Sequence, residues 1–232
     1  MSLARLIALL QGRALFFSCP DRFGDAFEGS APHPNVIGRQ EMVDLAIRDG
    51  MTPEQARLVY DHSHIQQSAT SWVGVNCWHM NEHESAAMWK LYVDGGEGIA
   101  IKSTFARLRD AFLAVERPIF IGAVTYINYE TEPIADNNLF APFMFKRTSF
   151  AHEREMRALV WKFPDFHLGD DYATRPMGDG VNVPADVETL IESIRVAPSS
   201  PRWFVEVVEA VVRVFGLSFE VAQSSLDSTA LW

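Results

Sequence analysis

Apolar positions recur at helical spacing from the start of the chain. Leu3, Leu6, Ile7 and Leu10 fall on one face behind Ser2, an N-cap type, and predict a helix over 2–11 that Gly12 ends. Ala14-Leu15-Phe16-Phe17-Ser18 reads as a short strand broken by Pro20, and 21–29 follow as a compact loop pinned by Phe23 and Phe27. A helical insert is expected at 36–69, as two helices over 36–49 and 53–69. The second opens on Thr52-Pro53-Glu54-Gln55, with Thr as N-cap, Pro in the first turn and Gln placed to close a capping box.

Residues 71–78 are too apolar for a freely exposed edge strand. They lead into a helix over 82–93, with Asn81 as N-cap, an inward stripe of Ala86, Trp89 and Val93, and Asp94-Gly95-Gly96 as its stop. A strand at 99–103 and a Thr104-capped helix at 105–115 come next. The clearest strand is 120–129, β-branched and aromatic. Leu139, Phe140, Phe143, Met144 and Phe145 mark a buried, irregular stretch, and 153–161 passes from charge into an apolar strand. Residues 164–182, rich in Asp, Gly and Pro, read as a long mobile loop. A short helix within 183–190, a strand at 191–197, a helix at 202–215 and a strand at 219–224 complete the chain. Strands and helices are interspersed without a repeat. The expectation is an α+β fold: one domain over 1–232, a mixed sheet with helices packed on it.

Composition narrows the function classes. The 232 residues are 48% hydrophobic and 22% charged, which suits a globular core of ordinary size. A net charge of −10 argues against general nucleic-acid binding and against an anionic membrane surface, since both need excess Lys and Arg. The best local basic patch is Lys146, Arg147, Arg154 and Arg157. No apolar run reaches the roughly 20 residues of a membrane span, and no signal peptide is read at the start, so the expected location is the cytoplasm. Cys19 and Cys77 are far apart and are expected to be buried thiols rather than a disulfide.

Two constellations carry candidate chemistry. His79-Met80-Asn81-Glu82-His83 matches the H-x-x-E-H spelling of a zinc-peptidase motif. That chemistry needs both His on one face of a continuous helix. Here a strand runs to Trp78 and Asn81 is the expected N-cap, so the preferred reading is a strand-to-helix junction with Glu82 and Glu84 near the helix N-terminus, and no metal is assigned. His62 and His64 are two apart and do not share a helix face. The second constellation is Glu153-Arg154-Glu155-Met156-Arg157. In an extended chain Glu153, Glu155 and Arg157 share a face and Arg154 opposes them. Paired acids beside an Arg can hold a ribose or stabilise positive charge at a sugar carbon. The competing reading is an ion-paired strand entrance with no chemistry. No phosphate-binding Gly-rich loop and no G-x-S-x-G elbow is present.

Three blocks together resemble a bacterial domain-of-unknown-function family, number 2971. Ala14 to Ser18 with Phe23-Gly24-Asp25-Ala26-Phe27-Glu28-Gly29 is similar to its strand followed by F-x-D-P-F-E-G. Ala86-Met88-Trp89-Tyr92 with Gly98 to Ile101 resembles its second block, and 150–160, with Glu153, Glu155 and Arg157, its third. Gly24 and Ala26 depart from the family's usual Asn or Glu and Pro. The family pattern also places an aromatic-Arg-Tyr strand ahead of the first helix read here. The resemblance implies a bacterial protein, with phage-defence roles suspected for some relatives, and no assigned reaction. The E-x-E at the head of a late strand is also similar to the acidic motif of ADP-ribosyltransferases. By that analogy Glu155 would be catalytic, His79 or Tyr92 a second partner, and NAD a candidate cofactor.

The leading expectation is an enzyme acting on a nucleotide or nucleotide-sugar. Glu155, His79 and Glu84 are its catalytic candidates, and Arg157, Glu153, Tyr92 and Lys146 its substrate-binding candidates. The rival is a non-catalytic interaction or sensor module, with these charges in a structural network and the 36–69 insert facing a protein partner.

Overall fold

The structure, a computed structural model, describes residues 1–93, 96–135, 138–161 and 178–227. The fold is α+β, with helices packed on mixed sheet. The chain divides into two compact units, each discontinuous in sequence: Met1–Phe16, Asn81–Glu116 and Asn182–Trp232 form one, and Phe17–Met80 with Arg117–Val181 the other. Most of the loop read at 164–182, and the Asp94-Gly95 stop, lie outside the described residues.

In the first unit, helix α1 (Leu3–Gly12) is capped by Ser2, whose hydroxyl accepts from Arg5 N, and buries Leu6, Leu9 and Leu10. The unit's sheet has β9 (Ser193–Val196) at its centre, antiparallel to β3 (Ile99–Lys102) and parallel to β10 (Glu220–Gln223). Helix α8 (Arg202–Val214) turns Phe204, Val208 and Val212 inward. Helix α6 (Phe105–Asp110) starts at Thr104 as expected, and α7 (Val187–Leu190) is capped by Asp186. The helix expected from 82 begins later, as α5 (Ala86–Tyr92). Ser85 is its N-cap, its hydroxyl accepting from Met88 N, while Asn81 Oδ1 accepts the neighbouring Glu82 N–H. Glu82 and Glu84 therefore precede the helix rather than occupy its first turn.

The second unit carries the longest strands. β2 (Val73–His79) and β7 (Glu155–Trp161) pair antiparallel along their full length, from Val73 opposite Trp161 to His79 opposite Glu155. β4 (Phe120–Ala123) adds to the far side of β7. β1 (Ala14–Ser18) and β8 (Gly180–Pro184) extend the order to β4-β7-β2-β1-β8, and the chain passes between the units within these two strands. The strand expected over 120–129 is two strands. After Val124, whose N–H binds Glu155 O, β5 (Thr125–Ile127) leaves to pair in parallel with β6 (Phe145–Arg147). The insert holds three helices rather than two: α2 (His33–Arg48), α3 (Pro53–Tyr60) and α4 (Ser63–Trp72). Asp61 marks the extra break, its carboxylate accepting from Ser63 N between the end of α3 at Tyr60 and the start of α4 at Ser63. The Thr52 capping box forms as expected.

Opposed residues on antiparallel strands share a face. Val73, Val75 and Leu159 therefore lie together, and with Ala69, Phe140 and Phe143 they form an apolar cluster. The other face is tight at Gly74. A Cβ there would stand 2.9 Å from Phe17 Cβ and 3.2 Å from Val160 Cγ1 and Val181 Cγ1. Phe17 Cβ is one bond from the backbone and cannot swing away. Gly74→Ala is expected to cost about 1–3 kcal/mol of stability, read as a lower urea midpoint at unchanged slope.

Candidate functional site

The same sheet face changes character at its other end. Next to Val75 and Leu159 come Cys77 and Arg157, opposite one another, and then His79 and Glu155. Arg157 is fully buried. Its Nε donates to Glu155 Oε1 at 3.1 Å, its Nη2 to Glu155 Oε2 and Glu28 Oε2, both at 3.0 Å, and its Nη1 to Glu28 Oε1 and, at 2.5 Å, to Phe143 O. All five guanidinium N–H groups are thus engaged. Burial opposes the charge on Arg157, and the Glu28 and Glu155 carboxylates more than restore it.

Glu28 reaches Arg157 from the loop after β1. Asp25 shapes that loop by accepting from Phe27 N at 3.0 Å and from Arg147 Nη2 at 2.6 Å. Arg147 stacks over Phe27 at 4.2 Å. Gly29, at φ +72°, turns the chain beside the Phe143 ring, where no Cβ would fit. On the other side, Lys146 pairs with Glu153 and stands 3.4 Å from Glu155 Oε2. Four carboxylates (Asp25, Glu28, Glu153 and Glu155) thus meet three cations (Lys146, Arg147 and Arg157).

The two acids on Arg157 are driven in opposite directions. Burial pushes the Glu28 carboxyl up, and Arg157 does not fully offset it. Burial acts the same way on Glu155, but the charge and hydrogen bonds of Arg157, then Cys77 and Lys146, outweigh it and hold Glu155 below the usual carboxylate range. Tyr129, whose hydroxyl donates to Phe145 O, is pushed up to about 12, by burial first and then by Glu28. The Tyr126 hydroxyl accepts the Glu155 N–H at 2.7 Å and so ties down the head of β7.

Two groups at this end are less committed. His79 Nδ1 lies 2.5 Å from Glu153 O. A carbonyl only accepts, so Nδ1 carries the proton in neutral His79, and the lone pair sits on Nε2, which is buried without a hydrogen-bond partner. Cys77, expected to be buried, is exposed. Even so, surrounding protein first, and the Glu155 carboxylate second, hold its thiol well above the usual range. Accessible area governs what can reach the sulfur and the surroundings govern its charge, so Cys77 is a reachable, neutral thiol.

The structure brings Glu155, His79, Arg157, Glu153 and Lys146 into one network. Glu84 and Tyr92 belong to the other unit. There Glu84 accepts from Trp89 Nε1 at 3.1 Å and Ser225 N at 3.4 Å, and Tyr92 is exposed on α5. Arg157 has no donor left for a ligand, so its place is internal. The expected basic patch is not free charge either, since Lys146, Arg147 and Arg157 all face carboxylates. His79 ends β2 and His83 lies in a bend, so the H-x-x-E-H spelling does not put both on one helix face. Glu28 and Asp25 stand outside the candidates named from the sequence; the signal for them is two acids in a loop pinned by Phe23 and Phe27. No family model, no curated protein and no solved structure matches the chain.

The opposed carboxyls fix a sign. Glu155, depressed, contributes stability above the ordinary carboxylate range that is lost as pH falls through its folded value. Glu28, raised, behaves oppositely, and its ionisation costs stability as pH rises. Removing a partner from a buried pair costs about 3–5 kcal/mol. Glu155→Gln is therefore expected to lose more stability than Glu28→Gln at neutral pH, with the gap closing on acidification, as measured by urea unfolding across pH.

Proposed function

We propose that the protein is an enzyme that breaks the glycosidic bond of a nucleotide or nucleotide-sugar, with NAD as a candidate substrate. The observation that carries this reading is the pair Glu153, which ends the 3-10 turn before β7, and Glu155, which heads β7, joined through Lys146 in a cluster with more carboxylates than cations, beside the unpartnered His79 Nε2. Cleavage at a sugar carbon develops positive charge there, and fixed carboxylates lower the energy of that state. Glu153 is the freer of the two, with Lys146 as its ion-pair partner. A ligand phosphate could draw Lys146 away and release Glu153 toward the sugar. His79 Nε2 would take or return the proton of the attacking or leaving group. The resemblance of the E-x-E to the ADP-ribosyltransferase motif supports the reaction class, although that analogy puts the catalytic carboxylate at Glu155 rather than Glu153.

One observation favours the rival reading of a non-catalytic network: Arg157 has every donor filled from within the protein. A panel of nucleotides, NAD and nucleotide-sugars separates the two. The enzyme reading expects a thermal shift and a product with at least one of them. Glu153→Gln should then lower turnover by about 100-fold or more while the melting temperature stays within a few degrees. No shift and no product across the panel would sink the enzyme and leave the network.

A further inference from the structure

We propose that α2 and α3 form a self-association surface on which the chain dimerises. At 100° per residue, the apolar side chains of α2 other than Ile37 span an arc of about 200°, from Leu45 through Met42, Ala46 and Val43 to Val36 and Ile47, and Ile37 lies beyond it, 45% exposed. A helix that packs on one neighbour uses an apolar stripe of about half that width. Here the centre alone is covered: Val43 and Ala46 are buried with Ala56 and Tyr60 of α3. Both flanks are open. Met42 and Leu45 are 45% and 44% exposed on one side, and Val36 and Ile47 are 52% and 36% exposed on the other. Eight of the twenty exposed large apolar side chains among the described residues fall within 36–59. Such a concentration exceeds scattered surface exposure and marks an interaction site.

Charge identifies the occupant as a second copy. Between 33 and 60, Arg39, Arg48 and Arg57 stand against Glu41, Asp44, Asp49 and Glu54, three minus four, a net of −1. The whole chain carries −10, so the remaining residues carry −9. Two copies that met elsewhere would bring like charge together, whereas this hairpin is near neutral with both signs interspersed. Arginines of one copy can then face acids of the other across a two-fold axis. A basic partner would be drawn to the acidic remainder instead. Two helices from each copy packed as a four-helix bundle would supply interface on the scale of about 800 Å² per partner that a stable dimer needs.

Sedimentation equilibrium on the full chain tests this. Wild type is expected at twice the 26.1 kDa chain mass. The double variant Met42→Glu, Leu45→Glu is expected at the single-chain mass with an unchanged far-UV circular dichroism spectrum. Leu113→Glu, an exposed apolar position in the other unit, should remain dimeric. A wild-type monomer at about 100 μM, a dimer that survives the double substitution, or one lost equally in Leu113→Glu would overturn the proposal. Because the readout is mass, the outcome is independent of any result with nucleotides.

Discussion

A guanidinium with no access to water is the constraint around which the second unit is arranged. Burying such a charge costs several kcal/mol unless every donor finds an acceptor. Arg157 meets that condition with two carboxylates and one carbonyl drawn from three separate segments. Each segment must then hold still. Glu155 is fixed in β7 and by the Tyr126 hydroxyl on its amide. Phe143 is locked in the apolar cluster. Glu28 sits in a loop with no regular structure, and that loop is ordered by other means: the Asp25 turn, Arg147 stacked on Phe27, and a left-handed Gly29. The loop's sequence reads as the set of conditions for presenting one carboxylate.

Much of this was legible in the chain, and the parts that were not share a cause. Strand identity followed from apolar runs, and the face shared by Glu155 and Arg157 followed from alternation, but Glu153 ends a short 3-10 helix and Arg154, at φ +41°, breaks the extended chain ahead of β7. Local competition was harder to see. Asn81 and Ser85 are both good caps, and only the observed hydrogen bond decides for Ser85. The apolar pattern of 120–129 continues without a break, yet Val124 makes the last backbone bond to β7 and β5 then pairs with β6. The break at Asp61 was hidden because a carboxylate between two helices looks like any other polar helix residue. Glu28 as partner of Arg157 is a contact across 129 residues of sequence, which periodicity cannot report.

The chemistry of the cluster follows from its asymmetry. One guanidinium serves two acids, yet Glu28 is pushed up and Glu155 held down. Lys146 lowers both; the difference arises because Glu155 also has the Cys77 thiol at hand, whereas burial of Glu28 outweighs its partners and the Glu155 charge adds to it. Environments that drive neighbouring carboxyls apart are the physical means by which one site can hold an acid and a base together. Structural ion networks produce such shifts too, so the shifts alone do not separate enzyme from scaffold.

What separates them is slack. A purely structural network gains from filling every donor and acceptor, and Arg157 and Glu155 conform to that. Glu153 and His79 do not, and in the Glu28 loop Asp25 Oδ2 and Arg147 Nε are also buried without a hydrogen-bond partner. The side chain of Glu153 has Lys146 as its ion-pair partner and retains some exposure, and His79 presents a buried ring nitrogen with nothing bonded to it. An unfilled buried acceptor costs roughly 1–3 kcal/mol. That cost falls where β2 ends and β7 begins, two residues from the exposed Cys77. The saturated centre supplies rigidity, and the unsaturated rim supplies groups that a ligand could engage without dismantling the centre. The enzymatic reading therefore rests on Glu153 and His79 rather than on Arg157.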